Sequence, residues 1–268
     1  MAQFNQRGPR YGKEPHIIHR RAELLTAGGA GTSVATAALD SGPGAIRAIA
    51  IDYVSAAPAT TDILIKDGDT NGRTLFTRAN SGTDLNPSPV GTGGFDETGP
   101  AAGALLATDT HGGGLLVAKG VFIDIAQADN ANVIRVDFWF EPLGYTRRIL
   151  NPVGGAGTSV ATDTVRLARA GLFLGIGVDV TNQAAGLDIV VKAEDATGTT
   201  LLTITNAAAD ITPFYVGTAG IDEAGAATAV TDMVGPGFPF KQGLFLDLAQ
   251  GDDSSNGAKP VAIDLWYA

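Results

Sequence analysis

One stretch of this chain occurs twice without a change: Gly28-Gly-Ala-Gly-Thr-Ser-Val-Ala-Thr36 returns as Gly154-Gly-Ala-Gly-Thr-Ser-Val-Ala-Thr162. The offset of 126 persists downstream. Asp62-Ile-Leu-Ile-Lys66 matches Asp188-Ile-Val-Val-Lys192, Gly72-Arg-Thr-Leu-Phe-Thr77 matches Gly198-Thr-Thr-Leu-Leu-Thr203, and Gly91-Thr-Gly-Gly-Phe-Asp-Glu-Thr-Gly99 matches Gly217-Thr-Ala-Gly-Ile-Asp-Glu-Ala-Gly225. It drifts to 123 at Gly120-Val-Phe-Ile-Asp-Ile-Ala-Gln127, which matches Gly243-Leu-Phe-Leu-Asp-Leu-Ala-Gln250, and to 127 where Asp137-Phe-Trp-Phe140 matches Asp264-Leu-Trp-Tyr267. The drift falls in glycine-rich and polar segments, where loops accept insertions. A period of this length is a whole domain rather than one unit of a solenoid. The chain therefore divides into residues 22–142 and a duplicate at 147–268, joined by the short Glu141-Pro-Leu-Gly-Tyr-Thr146, and the two halves are expected to touch.

Each half is patterned for strands. Ile46-Arg-Ala-Ile-Ala-Ile-Asp-Tyr-Val54 puts Ile49, Ile51 and Tyr53 on one face. Val121-Phe-Ile-Asp-Ile-Ala126 and Val133-Ile-Arg-Val-Asp-Phe-Trp-Phe140 repeat the period of two. The runs are rich in Val, Ile, Thr and Phe, which suit a pleated surface, and Gly-Asp, Asn-Gly and Pro-Gly clusters separate them. No run carries a clean helical stripe. The expected fold is all-β: two tandem antiparallel β-sandwiches, jelly-roll-like in the first instance and another Greek key in the second, behind an extended N-terminal arm.

Composition narrows the chemistry. There is no cysteine, so disulfides and thiolate catalysis are excluded. No apolar run is long enough for a membrane helix, and residues 1–21 lack the apolar core of a secretory signal, so release into the cytosol is expected. The net charge of −10 is unevenly placed. Residues 1–21 hold Arg7, Arg10, Lys13, Arg20 and Arg21 against Glu14 alone, whereas the rest is strongly acidic. An acidic body opposes a phosphate backbone, so nucleic acid is not an expected partner. The arm is expected to dock on an acidic partner surface instead. Arg7, Arg10, Lys13, Arg20 and Arg21 would contact carboxylates, with Phe4, Tyr11, Ile17 and Ile18 as apolar anchors.

Each candidate for chemistry meets a simpler explanation. Asp67-Gly-Asp-Thr-Asn-Gly72 opens like a calcium loop, but Arg78 stands where the bidentate Glu belongs, and Ala193-Glu-Asp-Ala-Thr-Gly198 breaks the pattern in the duplicate. A hairpin turn accounts for it. Asp96-Glu97 and Asp222-Glu223 are adjacent in sequence, unlike carboxylates set across a substrate. His16, His19 and His111 do not form a triad pattern. Gly28–Gly31 and Gly112–Gly114 lack the strand-to-helix context and the following Lys-Ser/Thr of phosphate-binding loops. Trp139 and Trp266 are equivalent in the repeat; packing in a core or at a sheet edge is expected before sugar stacking. No catalytic residue, metal or cofactor is expected.

A cysteine-free, Gly/Ala/Thr-rich tandem β-sandwich behind a basic arm resembles the virion structural proteins of tailed bacteriophages, and among them the capsid decoration (cement) proteins. The resemblance implies a non-enzymatic protein of the particle, made in the bacterial cytoplasm, that trimerises and clamps the major capsid protein or other virion proteins, without membrane attachment. The other class the residues admit is a carbohydrate- or cell-surface-binding module of a fibre or adhesin.

Overall fold

The computed structural model describes residues 17–25, 32–39, 41–54, 61–81, 83–90, 114–128, 133–154, 158–167, 169–179, 186–207, 210–216, 237–251 and 259–268. Strands dominate them. The first half runs β1 (Ile18–Leu25), β2 (Thr32–Leu39), β3 (Gly44–Tyr53), β4 (Thr61–Asp67), β5 (Thr74–Ser81), β6 (Leu85–Pro89), β7 (Leu115–Val117), β8 (Val121–Ala128) and β9 (Val133–Pro142). The second runs β10 (Gly144–Leu150), β11 (Val153–Gly154), β12 (Thr158–Arg166), β13 (Gly171–Asp179), β14 (Leu187–Ala193), β15 (Thr200–Ala207), β16 (Ile211–Tyr215), β17 (Phe238–Phe240), β18 (Gly243–Gly251) and β19 (Val261–Tyr267).

The strand order makes each half a jelly roll. In the first, one sheet reads β1-β9-β3-β6 with β7 also on β3, and the other reads β2-β8-β4-β5. The first strand thus pairs with the last, the second with the last but one, and β4 with β5, all antiparallel. This is a ribbon of strand pairs rolled into two sheets. The second half repeats it as β10-β19-β13-β16 with β17 on β13, and β12-β18-β14-β15 with the two-residue β11 added at the edge. Irregularities repeat as well. The register shifts between Ile46 and Ala48 against β9, and between Phe173 and Gly175 against β19. Gly114 and Gly237, just before β7 and β17, both have positive φ, and a Cβ there would meet the Ile46 carbonyl oxygen at 2.6 Å or that of Phe173 at 2.7 Å. Only glycine fits both the conformation and the space.

The period of two decides what is buried. In β4, Ile63 and Ile65 point inward while Asp62 and Lys66 alternate outward. In β9, Ile134, Val136, Phe138 and Phe140 face the core. In β19, Val261, Ile263 and Leu265 do the same for the second core, beside Phe173 and Leu246. The two cores are separate, and a third apolar cluster lies between the sandwiches: Ala45, Leu116, Leu143, Tyr215 and Trp266.

The sandwich begins earlier than residue 22. Ile18, Arg20 and Arg21, expected in the arm, belong to β1, which pairs with β9 from Ile18↔Phe140 to Leu25↔Val133. Alternation explains Arg21: Ala22 and Leu24 are buried while Arg21 and Glu23 are exposed on the outer face of the strand; Arg20, exposed, falls on the other side near the strand's start. No helix among the described residues is long and apolar enough to cross a membrane.

Candidate functional site

The tryptophan pair leads to the seam between the sandwiches. Trp139 and Trp266 point outward from β9 and β19, away from their own cores. Trp266 is nonetheless fully buried, because the first sandwich covers it. Its Nε1 donates to the Val117 carbonyl oxygen at 3.0 Å. Leu116 and Ala45 reach it from β7 and β3; Tyr215 and Tyr145 flank it from β16 and β10. Leu143, the one residue between β9 and β10, is buried in the same cluster. Arg47 lies 5.3 Å from the centre of the Tyr215 ring and pairs with Glu141, which borders the seam from the first sandwich. Burial pushes the Tyr215 hydroxyl up in pKa, and the group is buried without a hydrogen-bond partner among the described residues. Trp139 has no such cover. It is partly exposed, and the His19 ring lies 5.2 Å from it on its β1 side.

Beside each tryptophan a buried aspartate is held by an arginine from the neighbouring strand. Asp137 is cross-strand partner to Arg21, which donates through Nε at 2.7 Å and Nη2 at 2.9 Å, and His19 Nε2 lies 2.7 Å from the same carboxylate. Burial alone would raise the Asp137 pKa, but the Arg21 and His19 hydrogen bonds and charges outweigh it and hold the carboxyl below its usual range. Asp264 is cross-strand partner to Arg147, which donates to it at 2.9 Å and to Asp179 at 2.8 Å. Tyr145 replaces His19 and donates its hydroxyl at 2.5 Å. Here burial prevails over the Tyr145 and Arg147 bonds, the charge of Asp67 from the other sandwich adds to it, and the Asp264 carboxyl sits above its usual range. Tyr145 is pushed up in turn by burial and by Asp264.

The calcium-like loop is a hairpin turn between β4 and β5. Asp67 accepts from the Ala118 and Lys119 backbone N–H groups at 2.8–3.1 Å, tying this turn to the one after β7. Asp69 accepts from Asn71 N at 2.8 Å in an Asx turn, and Asp195 repeats that with Thr197. In the second sandwich Glu194 takes over the tie, accepting from Lys241 N and Gln242 N. Among the described residues no three acidic or histidine side chains gather as a metal site requires.

The arm residues divide in two. Phe4, Arg7, Arg10, Tyr11 and Lys13 lie outside the described residues. Ile17 is exposed before β1, Ile18 is half-buried, and Arg20 points to solvent from the strand. Arg21 donates to Asp137 in its own sandwich and stays about half exposed. His16, His111, Asp96-Glu97 and Asp222-Glu223 also lie outside the described residues. The His19–Arg21–Asp137 and Tyr145–Arg147–Asp264 clusters were missed from sequence. The signal was present: Arg21 and Arg147 stand at the repeat offset of 126, as Asp137 and Asp264 stand in matched strands.

No family model and no curated protein matches the chain. Among solved structures it is similar to VP54 of PBCV-1, as fitted into a reconstruction of the virophage Sputnik. That match has 9% identity and a TM-score of 0.29, over 96% of this chain and 95% of that one. It is similar also to VP2 of infectious bursal disease virus in a subviral particle. There the identity is 10% and the TM-score 0.23, over 93% of this chain and 72% of that one.

Proposed function

We propose that this chain is a non-enzymatic structural protein of a phage particle, made in the bacterial cytoplasm, that decorates and stabilises the capsid. Its partners are the major capsid protein or other virion proteins and further copies of itself, in a homotrimer. The observation that carries the reading is the seam. Two jelly rolls locked by a buried tryptophan and a single-residue connection are held in a fixed relation suited to bridging neighbours in a lattice. The basic segment ahead of β1 supplies a second attachment, since an otherwise acidic chain presents cations there to carboxylates.

Deleting residues 1–16 tests the arm while leaving β1 and the Arg21–Asp137 pair intact. Incorporation into particles is expected to fall most at low salt, and its gap to the full chain to narrow as salt screens the arm. Unchanged occupancy at every ionic strength overturns the docking role. A second reading has one observation in its favour: Trp139 and His19 form a partly exposed aromatic pair that suits sugar stacking. Glycan-array binding abolished by Trp139→Ala would establish a carbohydrate-binding module in place of a decoration protein.

A further inference from the structure

The seam is a head-to-tail interface, and each sandwich carries both of its halves. The edge that covers Trp266 consists of Ala45 on β3 and Leu116 on β7. Register identifies their counterparts: Ala45 faces Leu116 as Leu172 faces Pro239. Ala45 is 0% exposed and Leu116 1%, whereas Leu172 is 37% exposed and Pro239 is exposed too. The face they cover is Trp266 with Tyr145, and its counterpart is the partly exposed Trp139 with the exposed His19. Among the described residues, then, the seam leaves one face of the first sandwich and one edge of the second unmatched. Every apolar position that is exposed in this set has an equivalent that is buried elsewhere in the same chain.

A heterologous contact that leaves one free half at each end repeats, and in a soluble oligomer it closes into a ring. We propose that a second copy of this chain seats the Leu172–Pro239 edge of its second sandwich on the Trp139–His19 face of the first, repeating between chains the seam already made within one. This rests on the homo-oligomer in the reading above and names the surfaces that make it. The occupant is another copy because the surface on this chain already known to cover a tryptophan in this position is the β3/β7 edge, and its free equivalent is β13/β17. Leu172 presents a larger apolar side chain than Ala45, so the contact between chains buries more at that point than the one within.

The absence of cysteine allows a direct test on the full-length protein. His19→Cys and Pro239→Cys are prepared as separate chains, then mixed with a short thiol-reactive crosslinker. The expected result is a crosslinked pair in the mixture and none in either variant alone. Leu172→Asp is expected to reduce the mass of the native protein to that of one chain, 27.3 kDa, with an unchanged circular dichroism spectrum. Crosslinking of His19→Cys chains to each other, or an oligomer that survives Leu172→Asp, overturns these surfaces but leaves a homo-oligomer built another way. A one-chain mass for the unmodified protein at every concentration, with no crosslinking, overturns the ring altogether. Particle incorporation of the unmodified chain reads the virion role independently of either outcome.

Discussion

The two sandwiches share strand order, register shifts and even the glycines before β7 and β17, yet they treat the same strand face differently. On the second, Trp266 is sealed and Asp264 is pushed towards its neutral form. On the first, Trp139 is partly open and Asp137 is held ionised by Arg21 and His19. The strand patterns are alike, so the difference comes from what lies over the face. A residue's fate here is set by its place in the pair of sandwiches as much as by its place in a strand.

The tryptophans offer the sharpest way to break that comparison. Trp266→Ala empties a packed site and removes the bond to Val117, and is expected to cost about 3–5 kcal/mol in denaturant unfolding. Trp139→Ala removes a partly exposed side chain and is expected to cost roughly 1–2 kcal/mol. Equal losses would mean that the seam adds nothing to the burial of Trp266.

The aspartates sharpen it through pH. Asp137 has a lower pKa folded than unfolded, so its contribution is present above the unfolded carboxylate range and is lost as pH falls through the folded value. Asp264 has a higher pKa folded, so the native state takes up a proton and gains stability as pH falls from neutral towards about 4. In thermal melts, the penalty of Asp137→Asn is therefore expected to shrink under acid. That of Asp264→Asn is expected to grow between neutral pH and about pH 4. Parallel profiles would show that the two sites are electrostatically alike.

The smallest effect concerns Tyr215. Its hydroxyl is buried without a partner among the described residues, so Tyr215→Phe is expected to raise stability by about 1 kcal/mol while keeping the ring under Arg47. A loss of that size in a chemical melt would reveal a hydrogen bond the hydroxyl makes after all.

Much of the fold was legible because duplication and alternation are properties of the chain itself. Asp62-Ile-Leu-Ile-Lys66 and its copy fall on β4 and β14, and the outward Lys66 pairs with Asp124 as Lys192 does with Asp247. The start of the first sandwich was harder to see. Ile18–Leu25 carries three charges in eight residues, because only one face of β1 is buried and the other displays Arg21 to Asp137. Charge reads as an arm here, although Arg21 and Glu23 mark an outer sheet face. The seam was out of reach for another reason. Alternation shows that Trp139 and Trp266 point away from their neighbours Phe138 and Leu265, but it cannot say which of two equivalent faces another body will cover.

The nesting of strand pairs also governs how the protein can be made. In each half the last strand sits inside a sheet, β9 between β1 and β3, and β19 between β10 and β13. Neither sheet can close until its final segment has left the ribosome, and the partners it joins lie more than a hundred residues apart in β1·β9. Such distant pairing is slow to form. During synthesis the first sandwich can finish while the second is still growing, and its β7 edge waits uncovered until Trp266 arrives. A chain interrupted before Val261 would lack the middle of one sheet and the cover of that edge together.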